Sequence, residues 1–272
     1  GYRFEVGHLD NGTADPQLKN IVAPEIWQKT ADTGVSAEKR ELYGYSHEGE
    51  EAVPGLSGSF NTVTHDYTGI MPSDDLTVRY RYDRVPSQWA QLTYKAGLHG
   101  SLSHGSEVSP DVAEQGIGTG IYEASVLKND GSSEGSSDSY TWSTIKEKRL
   151  VPAAQADQYY RFAGWFFDTN GDGILNDGEQ LLTEDYRFTG DETVTALFEE
   201  DPAQWVDIGF AAGEHGALAD GSISSLHIQH DKTWGDITLQ LPAYAPEINY
   251  LVDDWYDGDA DVESTDVLQN GH

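Results

Sequence analysis

The sequence contains no cysteine, a single methionine and few basic residues. Its 16 lysines and arginines stand against 47 acidic residues, which gives the 272-residue chain a formal net charge of −31. A chain without cysteine has no disulfides, thiolate zinc sites or cysteine nucleophiles. A surface this acidic lacks the basic footprint that binds nucleic acid or anionic lipid, so we expect neither partner. The composition is typical of an extracellular, calcium-rich or salt-adapted surface, and it leaves these alternatives open.

Long apolar runs are missing as well. No stretch approaches the ~18 apolar residues that span a bilayer, and no basic-then-apolar leader begins the chain, so we expect a soluble fragment without membrane insertion. The motifs of common hydrolases and phosphate-binding loops are also missing, so we expect no enzymatic activity. Aromatic residues, by contrast, are abundant: 7 Trp, 15 Tyr and 8 Phe supply large apolar side chains for packed cores.

An internal repeat organises the chain. Residues 86–106 (PSQWAQLTYKAGLHGSLSHGS) and 202–222 (PAQWVDIGFAAGEHGALADGS) match at ten of 21 positions after a shift of 116. The match continues from 141–168 to 233–257 with small gaps, and each copy begins at its proline. We therefore predict three modules: a divergent one at 1–85, a complete copy at 86–201, and a second copy at 202–272 whose closing strand we expect to be missing or shortened.

Most segments between these landmarks are typical of short strands, because they are rich in β-branched and aromatic residues and are bounded by turn residues. The predicted strands are 76–83, 90–96, 143–150, 160–167, 193–200 and 206–212. A helix is predicted only over 24–42, with Ser36 as a potential N-cap, and 129–139 is predicted to be a flexible loop. The predicted fold is mainly β, with an α+β arrangement left open for the first module.

The order of these motifs resembles a known repeat family. A strand, a Gly-rich turn, the sequence YRFAGW (160–165), an acidic loop and TVTALF (193–198) resemble the Listeria–Bacteroides type repeat, the internalin B-repeat family. The sequence TGIMPSDDLTVRYRYD (68–83) is similar to the close of mucin-binding-type repeats in surface proteins of Gram-positive bacteria. The resemblance implies small β-grasp-like modules in an elongated tandem array on a secreted or cell-wall-attached bacterial protein.

One segment has the spacing of a metal-binding loop. Residues 168–179 (DTNGDGILNDGE) fit the 12-residue EF-hand calcium loop, with Gly173 at the turn. The predicted Ca²⁺ ligands are Asp168, Asn170, Asp172, the carbonyl of Ile174, Asn176 and Glu179. Because the flanking sequences lack helical periodicity, we expect a structural ion rather than a sensor site.

A second acidic stretch occupies the equivalent place in the third module. Asp257, Asp259, Asp261 and Glu263 alternate along the chain, although no glycine stands at the turn. We treat them as candidate ligands of a second Ca²⁺.

Histidines recur near the repeat. His227 and His230 form an H-x-x-H pair, for which we expect an ordinary polar surface role rather than metal ligation. His99 and His215 hold the same position of the repeat beside a glycine, which predicts a turn.

These features predict a non-catalytic stalk or adhesion region of a secreted or wall-attached bacterial surface protein, stiffened by structural calcium. Its expected partners are the neighbouring modules of its parent chain and an unidentified host or matrix glycan or protein. Two alternatives remain: an accessory spacer or substrate-binding region of a large secreted peptidase or glycosidase, and a carbohydrate-binding unit that uses Trp and Tyr as stacking platforms, although the repeated aromatic residues are better explained as core.

Overall fold

The computed structural model describes residues 1–258 and 260–269. The fold is mainly β, as predicted, and consists of several separate small sheets with a few short helices. The contacts within the chain divide it into two compact units. Residues 1–155 and 164–197 form the first, while residues 156–163 and those from 198 onward form the second.

The first module is a β structure with two sheets. Its strands are β1 (Tyr2–Asp10), β2 (Glu25–Lys29), β3 (Gly34–Ala37), β4 (Tyr45–Val53), β5 (Gly58–Phe60), β6 (Tyr67–Ile70) and β7 (Leu76–Arg84). The main sheet has the order β2-β1-β7-β4, and β3-β6-β5 forms a smaller one. In the main sheet β1 and β7 are parallel, in register from Phe4 beside Leu76 to Asp10 beside Tyr82. Every second residue of β7 is buried, as expected for a strand with one face on a core.

The helix predicted over 24–42 is wrong. β2 and β3 occupy this segment, and Asp32 turns the chain between them with a φ of 66°. β2 pairs with β1, where Trp27 stacks on Phe4 at a centroid distance of 5.4 Å. Sheet pairing outweighs the weak helical propensity of the segment. Residues 1–85, all of which the structure describes, contain no α-helix, so the first module is not α+β.

The second module repeats this scheme. Its elements are β8 (Trp89–Ala96), β9 (Gly100–Ser103), β10 (Ala113–Glu114), β11 (Tyr122–Leu127), α1 (Ser133–Asp138), α2 (Trp142–Glu147), β12 (Ala153–Ala156), β13 (Tyr160–Phe166) and β14 (Glu192–Glu200). The sheet order is β10-β11-β8-β14-β13, and β9 pairs with β12. β8 and β14 are parallel, as β1 and β7 are. The strands predicted at 90–96, 160–167 and 193–200 are therefore confirmed.

Two predictions between β11 and β12 are wrong. The segment predicted as a flexible loop contains α1, and the strand predicted at 143–150 begins as α2. Each helix has an N-cap, because Ser132 accepts from Gly135 N and Thr141 accepts from Thr144 N. Trp142 and Ile145, three residues apart, bury one face of α2.

A matching hydrogen bond ties the last strand to the first in both modules. Asp75, just before β7, accepts from Arg3 N at 2.7 Å, and Asp191, just before β14, accepts from Gln91 N at 2.8 Å. The first module therefore shares the central parallel strand pair of the second, although the beginnings of their sequences match poorly.

The second unit contains the third module. Its strands are β15 (Trp205–Gly209), β16 (Gly216–Leu218), β17 (Ser225–Gln229), β18 (Tyr244–Pro246), β19 (Tyr256–Asp257) and β20 (Ala260–Asp261). β15 pairs with β17 in the antiparallel manner of β8 and β11, which confirms the first part of the strand predicted at 206–212. A 3₁₀ helix over Trp234–Gln240 stands at the sequence position of α2. In the described part of the chain, every helix is too short to cross a lipid bilayer.

Candidate functional site

The junction between the first two modules is built around Trp89. A 3₁₀ helix over Pro86–Gln88 separates β7 from β8, and Trp89 follows it. The indole N–H of Trp89 donates to the carbonyl of Gly44 at 2.9 Å, and the same carbonyl accepts from Val85 N at 2.9 Å. Gly44 has a φ of 86°, and a Cβ there would collide with the side chain of Leu127. The left-handed backbone and the proximity of Leu127 both favour glycine at this position.

The same contacts recur within the second unit. A 3₁₀ helix over Pro202–Gln204 precedes Trp205, whose indole N–H donates to the carbonyl of Tyr159 at 2.9 Å. That carbonyl also accepts from Asp201 N at 2.9 Å, and Tyr159 has a positive φ of 75° like Gly44. The sequence repeat predicts the two Trp donors of these contacts, since each belongs to a Pro-x-Gln-Trp motif. The sequence carries no signal for the acceptor carbonyls of Gly44 and Tyr159.

An ion pair between Asp10 and Arg84, with little solvent exposure, lies at the first junction. The side chain of Asp10, 3% exposed, lies 2.9 Å from Arg84 Nη2 and also accepts from the Tyr45 hydroxyl at 3.1 Å. The guanidinium of Arg84 lies over the Trp89 ring, 3.9 Å from its centroid. The last residue of β7 is therefore held by the first module and by the first residue of β8 in the second module.

A second ion pair joins the modules at residues 10–15. Asp15, also 3% exposed, pairs with Arg149 of the second module. Burial alone would raise the pKa of Asp15, but hydrogen bonds from Ser109 and Gln17 N, together with the charge of Arg149, hold that pKa below its ordinary value. Asp111 of the second module accepts from the Thr13 hydroxyl and from the neighbouring backbone N–H. We call the contacts of Asp10 and Asp15 the module seam.

Four of the six predicted calcium ligands converge in the acidic loop. The amide of Asn176 lies 2.8 Å from Asp172 Oδ2 and 3.2 Å from the carbonyl oxygen of Ile174, while the amide of Asn170 lies 3.1 Å from Asp172 Oδ2. Because a half-turn of an amide exchanges its nitrogen and oxygen, these residues can present four oxygens to one point. A hydrogen bond from Asn176 is the main cause that lowers the pKa of Asp172 below its ordinary value, which keeps this carboxylate charged.

The two end residues of the loop are engaged differently. Asp168 accepts from the backbone N–H groups of Gly171 and Gly173, each at 2.8 Å. Glu179 accepts from the N–H groups of Asn176 and Thr169, each at 2.8 Å, and the first of these bonds is the main cause of its lowered pKa. Asp168, Asp172 and Glu179 are not drawn together as a three-carboxylate group in the described structure.

The loop rests on the Gly-rich turn of the repeat. The carbonyl of Gly173 accepts from Leu98 N at 3.1 Å. A Cβ on Gly97 would lie 2.6 Å from the backbone oxygens of both Gly173 and Ala196. A side chain at this position would therefore push the acidic loop and β14 away from the turn. The neighbouring His99 has a φ of 69° and lies in this turn, as predicted.

The second acidic stretch forms a short hairpin. Asp257 ends β19 and Asp261 ends β20, while Glu263 follows in an exposed turn. Asp259 lies outside the described residues. Among those that are described, Asp257, Asp261 and Glu263 do not form a metal-sized cluster.

The H-x-x-H histidines make separate contacts. The ring nitrogens of His227 lie 2.7 Å from carboxylate oxygens of Asp207 and Glu200. These hydrogen bonds raise the pKa of His227 above its ordinary value, and the bond to Asp207 contributes most. His230 instead approaches the carbonyl of Gln204, with its Nδ1 at 3.2 Å.

Comparisons with known proteins identify only a weak structural similarity. No protein-family model and no curated protein matches the chain. A solved structure that matches is described as "Streptococcal High Identity Repeats in Tandem (SHIRT) domains 3-4 from cell surface protein". It is 12% identical, and the match covers 74% of this chain and 99% of that one with a TM-score of 0.19. The likeness is coarse.

Proposed function

We propose that the chain is a non-catalytic stalk or adhesion region of a secreted or wall-attached bacterial surface protein. The observation that carries this proposal is the parallel pairing of the first and last long strands in the first and second modules, β1 with β7 and β8 with β14. Parallel neighbours start at the same end of a sheet. The chain therefore enters each of these modules at one end of its sheet and leaves at the other.

This arrangement suits a chain under tension. A force on the two ends of the first module pulls β1 and β7 in opposite directions along their axes. Seven residue pairs, from Phe4 with Leu76 to Asp10 with Tyr82, then resist as a group, because sliding one strand breaks all of their hydrogen bonds together. Force that peels one strand from its neighbour would break the bonds one at a time.

The module seam supports the same function. Arg84 ends β7 and Trp89 begins β8, so only four residues separate the sheets, and the Asp10 and Asp15 ion pairs hold both sides. A flexible linker would let neighbouring modules bend freely. A hydrogen-bonded junction with little solvent exposure favours a spacer of defined geometry.

We further propose that the acidic loop holds a structural Ca²⁺. The oxygens of Asn170, Asp172, Asn176 and the Ile174 carbonyl fit the hard cation, and Asp168 and Glu179 stand at the loop ends to complete the set. The ion would supply charge neutralisation only. Its role here would be to keep the loop folded on the turn at Gly97.

The adhesion role implies a host or matrix glycan or protein as ligand. Of the alternatives, a stacking platform for carbohydrate is less favoured, because Trp142 and Trp165 are buried in the second module at 3% and 6% exposure. The spacer of a secreted hydrolase would use the same mechanical properties, and the parent protein's other domains would distinguish it.

Single-molecule force spectroscopy tests the stalk proposal. Because the chain has no cysteine, introduced cysteines are unique attachment points. Cysteines at Gly1 and Ser87 load β1 against β7 in shear, whereas cysteines at Val53 and Asp74 peel β4 from β7 in the same module. We expect a clearly higher unfolding force for the first pair. Equal forces in the two geometries would contradict the proposal.

A further inference from the structure

A β-bulge in the first module brings two side chains to one face of β4. His47 and Glu50 are three positions apart, which in a regular strand places them on opposite faces. The register of β4 against β7 shifts between His47 and Gly49, so that His47 lies beside Tyr82 and Glu50 beside Tyr80. Tyr80 and Tyr82 share one face of β7, and therefore His47 and Glu50 share a face of β4.

A third side chain joins them from the turn before β6. His65 Nδ1 lies 2.9 Å from Glu50 Oε1, and His47 Nε2 lies 2.7 Å from Glu50 Oε2. One ligand atom from each of the three side chains lies within 4.8 Å of the other two, and no other metal-sized group of His, Asp and Glu occurs among the described residues. The imidazole rings of His47 and His65 are 4.5 Å apart. Two imidazoles and a carboxylate therefore surround one small volume.

The position of His65 is set by its backbone. His65 adopts a φ of 62°, and its N–H donates to Asn61 O at 3.0 Å. Its carbonyl accepts from the hydroxyl of Tyr80, which is fully buried, at 3.0 Å. A left-handed residue held at both its N–H and its carbonyl is a constrained element, and such constraints often accompany functional sites.

The buried nitrogen of His47 lacks a hydrogen-bond partner. His47 Nε2 makes no hydrogen bond in the described structure, although Glu50 Oε2 is only 2.7 Å away. Buried polar atoms of this kind usually have a partner. A metal ion held between the two side chains would give this nitrogen one.

We propose that His47, Glu50 and His65 form a binding site for a divalent transition-metal ion, with Zn²⁺ as the best match. Two histidines and one glutamate are a common three-ligand set for zinc, with a fourth position left for water. Zn–N and Zn–O bonds of about 2.0–2.2 Å place neighbouring ligand atoms roughly 3–3.5 Å apart. The two His–Glu separations of 2.7 and 2.9 Å would therefore need to open by about 0.1–0.8 Å. Side-chain exposures of 13% for His47, 16% for Glu50 and 33% for His65 leave a path from solvent.

The site is distinct from the acidic loop in its chemistry. Imidazole nitrogen is a poor ligand for Ca²⁺ but a good one for Zn²⁺, Cu²⁺ and Ni²⁺. Calcium added in excess therefore occupies an all-oxygen loop without competing at His47, Glu50 and His65. The two metal proposals can be tested independently in one protein.

Isothermal titration of the full chain with Zn²⁺, in millimolar Ca²⁺ after removal of metals with EDTA, is the test. We expect one tight equivalent for the wild type, and loss of that equivalent in His65→Asn and in Glu50→Gln. His227→Asn is the matched control, since His227 also lies between two carboxylates. That variant should keep the tight equivalent.

Nuclear magnetic resonance provides a readout that does not depend on a variant's folding. One equivalent of Zn²⁺ added to the wild type should shift the imidazole signals of His47 and His65 and leave those of His227 in place. Absence of a tight equivalent in the wild type, binding that survives in both His65→Asn and Glu50→Gln, or imidazole shifts confined to other histidines would each overturn the proposal.

Discussion

At the scale of single residues, His8 is a buried histidine whose pKa lies well below its ordinary value. It is 1% exposed on β1, where its ring stacks on Tyr80 at 5.4 Å and its Nδ1 lies 3.0 Å from the hydroxyl of Tyr82. Its Nε2 is buried and makes no hydrogen bond in the described structure. The pKa of His8 is lowered to about 4, mainly by burial and to a smaller extent by the positive charge of Arg40.

We predict that His8 destabilises the first module as the pH falls. Between about pH 6.5 and 4 the unfolded histidine binds a proton that the folded one does not, so the free energy of unfolding decreases through this window, by about 3 kcal/mol in total. His8→Phe keeps an aromatic ring beside Tyr80 and removes the titration. Urea unfolding at pH 7 and pH 4.5 measures the effect, and the fall in stability should be smaller in the variant. Equal falls in the two proteins would show that carboxylates alone account for it.

Among the structural elements, the acidic loop is the proposed calcium site. We predict that about 10 mM Ca²⁺ stabilises the wild type by about 1.4–2.7 kcal/mol relative to EDTA, the range for dissociation constants of about 10⁻³ to 10⁻⁴ M. Asp172→Asn should lose this response, because Asp172 lies at the convergence of the proposed ligands. Thermal unfolding with and without Ca²⁺ is the measurement.

Asp177→Asn is the control for this loop, since it removes the same charge at a position that is not a predicted ligand. It should retain the calcium response. A response equal in Asp172→Asn and the wild type would place the ion elsewhere.

The module seam leads to a second prediction for an element. Arg149→Met leaves the buried carboxylate of Asp15 without its cation, so we expect a loss of about 3 kcal/mol from the free energy of unfolding. Arg79→Met removes a partner from an exposed pair with Glu51 and should cost less than about 1 kcal/mol. Chemical denaturation compares the two variants, and similar small losses would mean that the seam contributes little.

An element is easier to predict when its sequence signal lies within its own residues than when it depends on pairing with a distant strand. β7 was predicted from its β-branched and aromatic residues, and its alternate residues Leu76, Val78, Tyr80 and Tyr82 are buried. The helix predicted at 24–42 failed because pairing with β1 and β6 decides that segment, and those partners are remote in sequence. α1 and α2 were missed although their caps, Ser132 and Thr141, stand in the sequence, because each helix is only six residues long.

The two candidate metal sites differ in the same way, because only one of them is formed by a continuous stretch of sequence. The acidic loop is contiguous, so its spacing alone identified Asn170, Asp172 and Asn176. The cluster of His47, Glu50 and His65 depends on a bulge and on a turn 15 positions further along the chain. Periodicity would have placed His47 and Glu50 on opposite faces, and only the three-dimensional register reveals that they meet.

At the scale of the whole molecule, each unit has a core of its own. The buried cluster of the second unit consists of Val206, Ile208, Phe210, Ile228, Ile237 and Leu268. The strands of the third module form two-stranded sheets, whereas the first and second modules contain sheets of four and five strands. Two-stranded sheets gain little stability by themselves, so we expect the second unit to be the weaker.

We therefore predict two calorimetric transitions. Ile237→Ala should lower only the first transition, and Leu92→Ala, in the core of the first unit, only the second, with losses of about 2–5 kcal/mol each. Ile237 and Leu92 are both fully buried, so the two variants are matched in burial. A single transition that both substitutions shift would mean that the two units unfold as one.

The bond from Arg3 to Asp75 marks a strand pairing between opposite ends of the module. It spans 72 positions of the chain, and its counterpart from Gln91 to Asp191 spans 100. Pairings this distant in sequence slow folding, since a long loop must close before the central strands meet. On a chain that emerges from its amino end, β1 lacks its central neighbour until nearly the whole module is out. Each module can therefore complete its central strand pair only after its last strand has been synthesised.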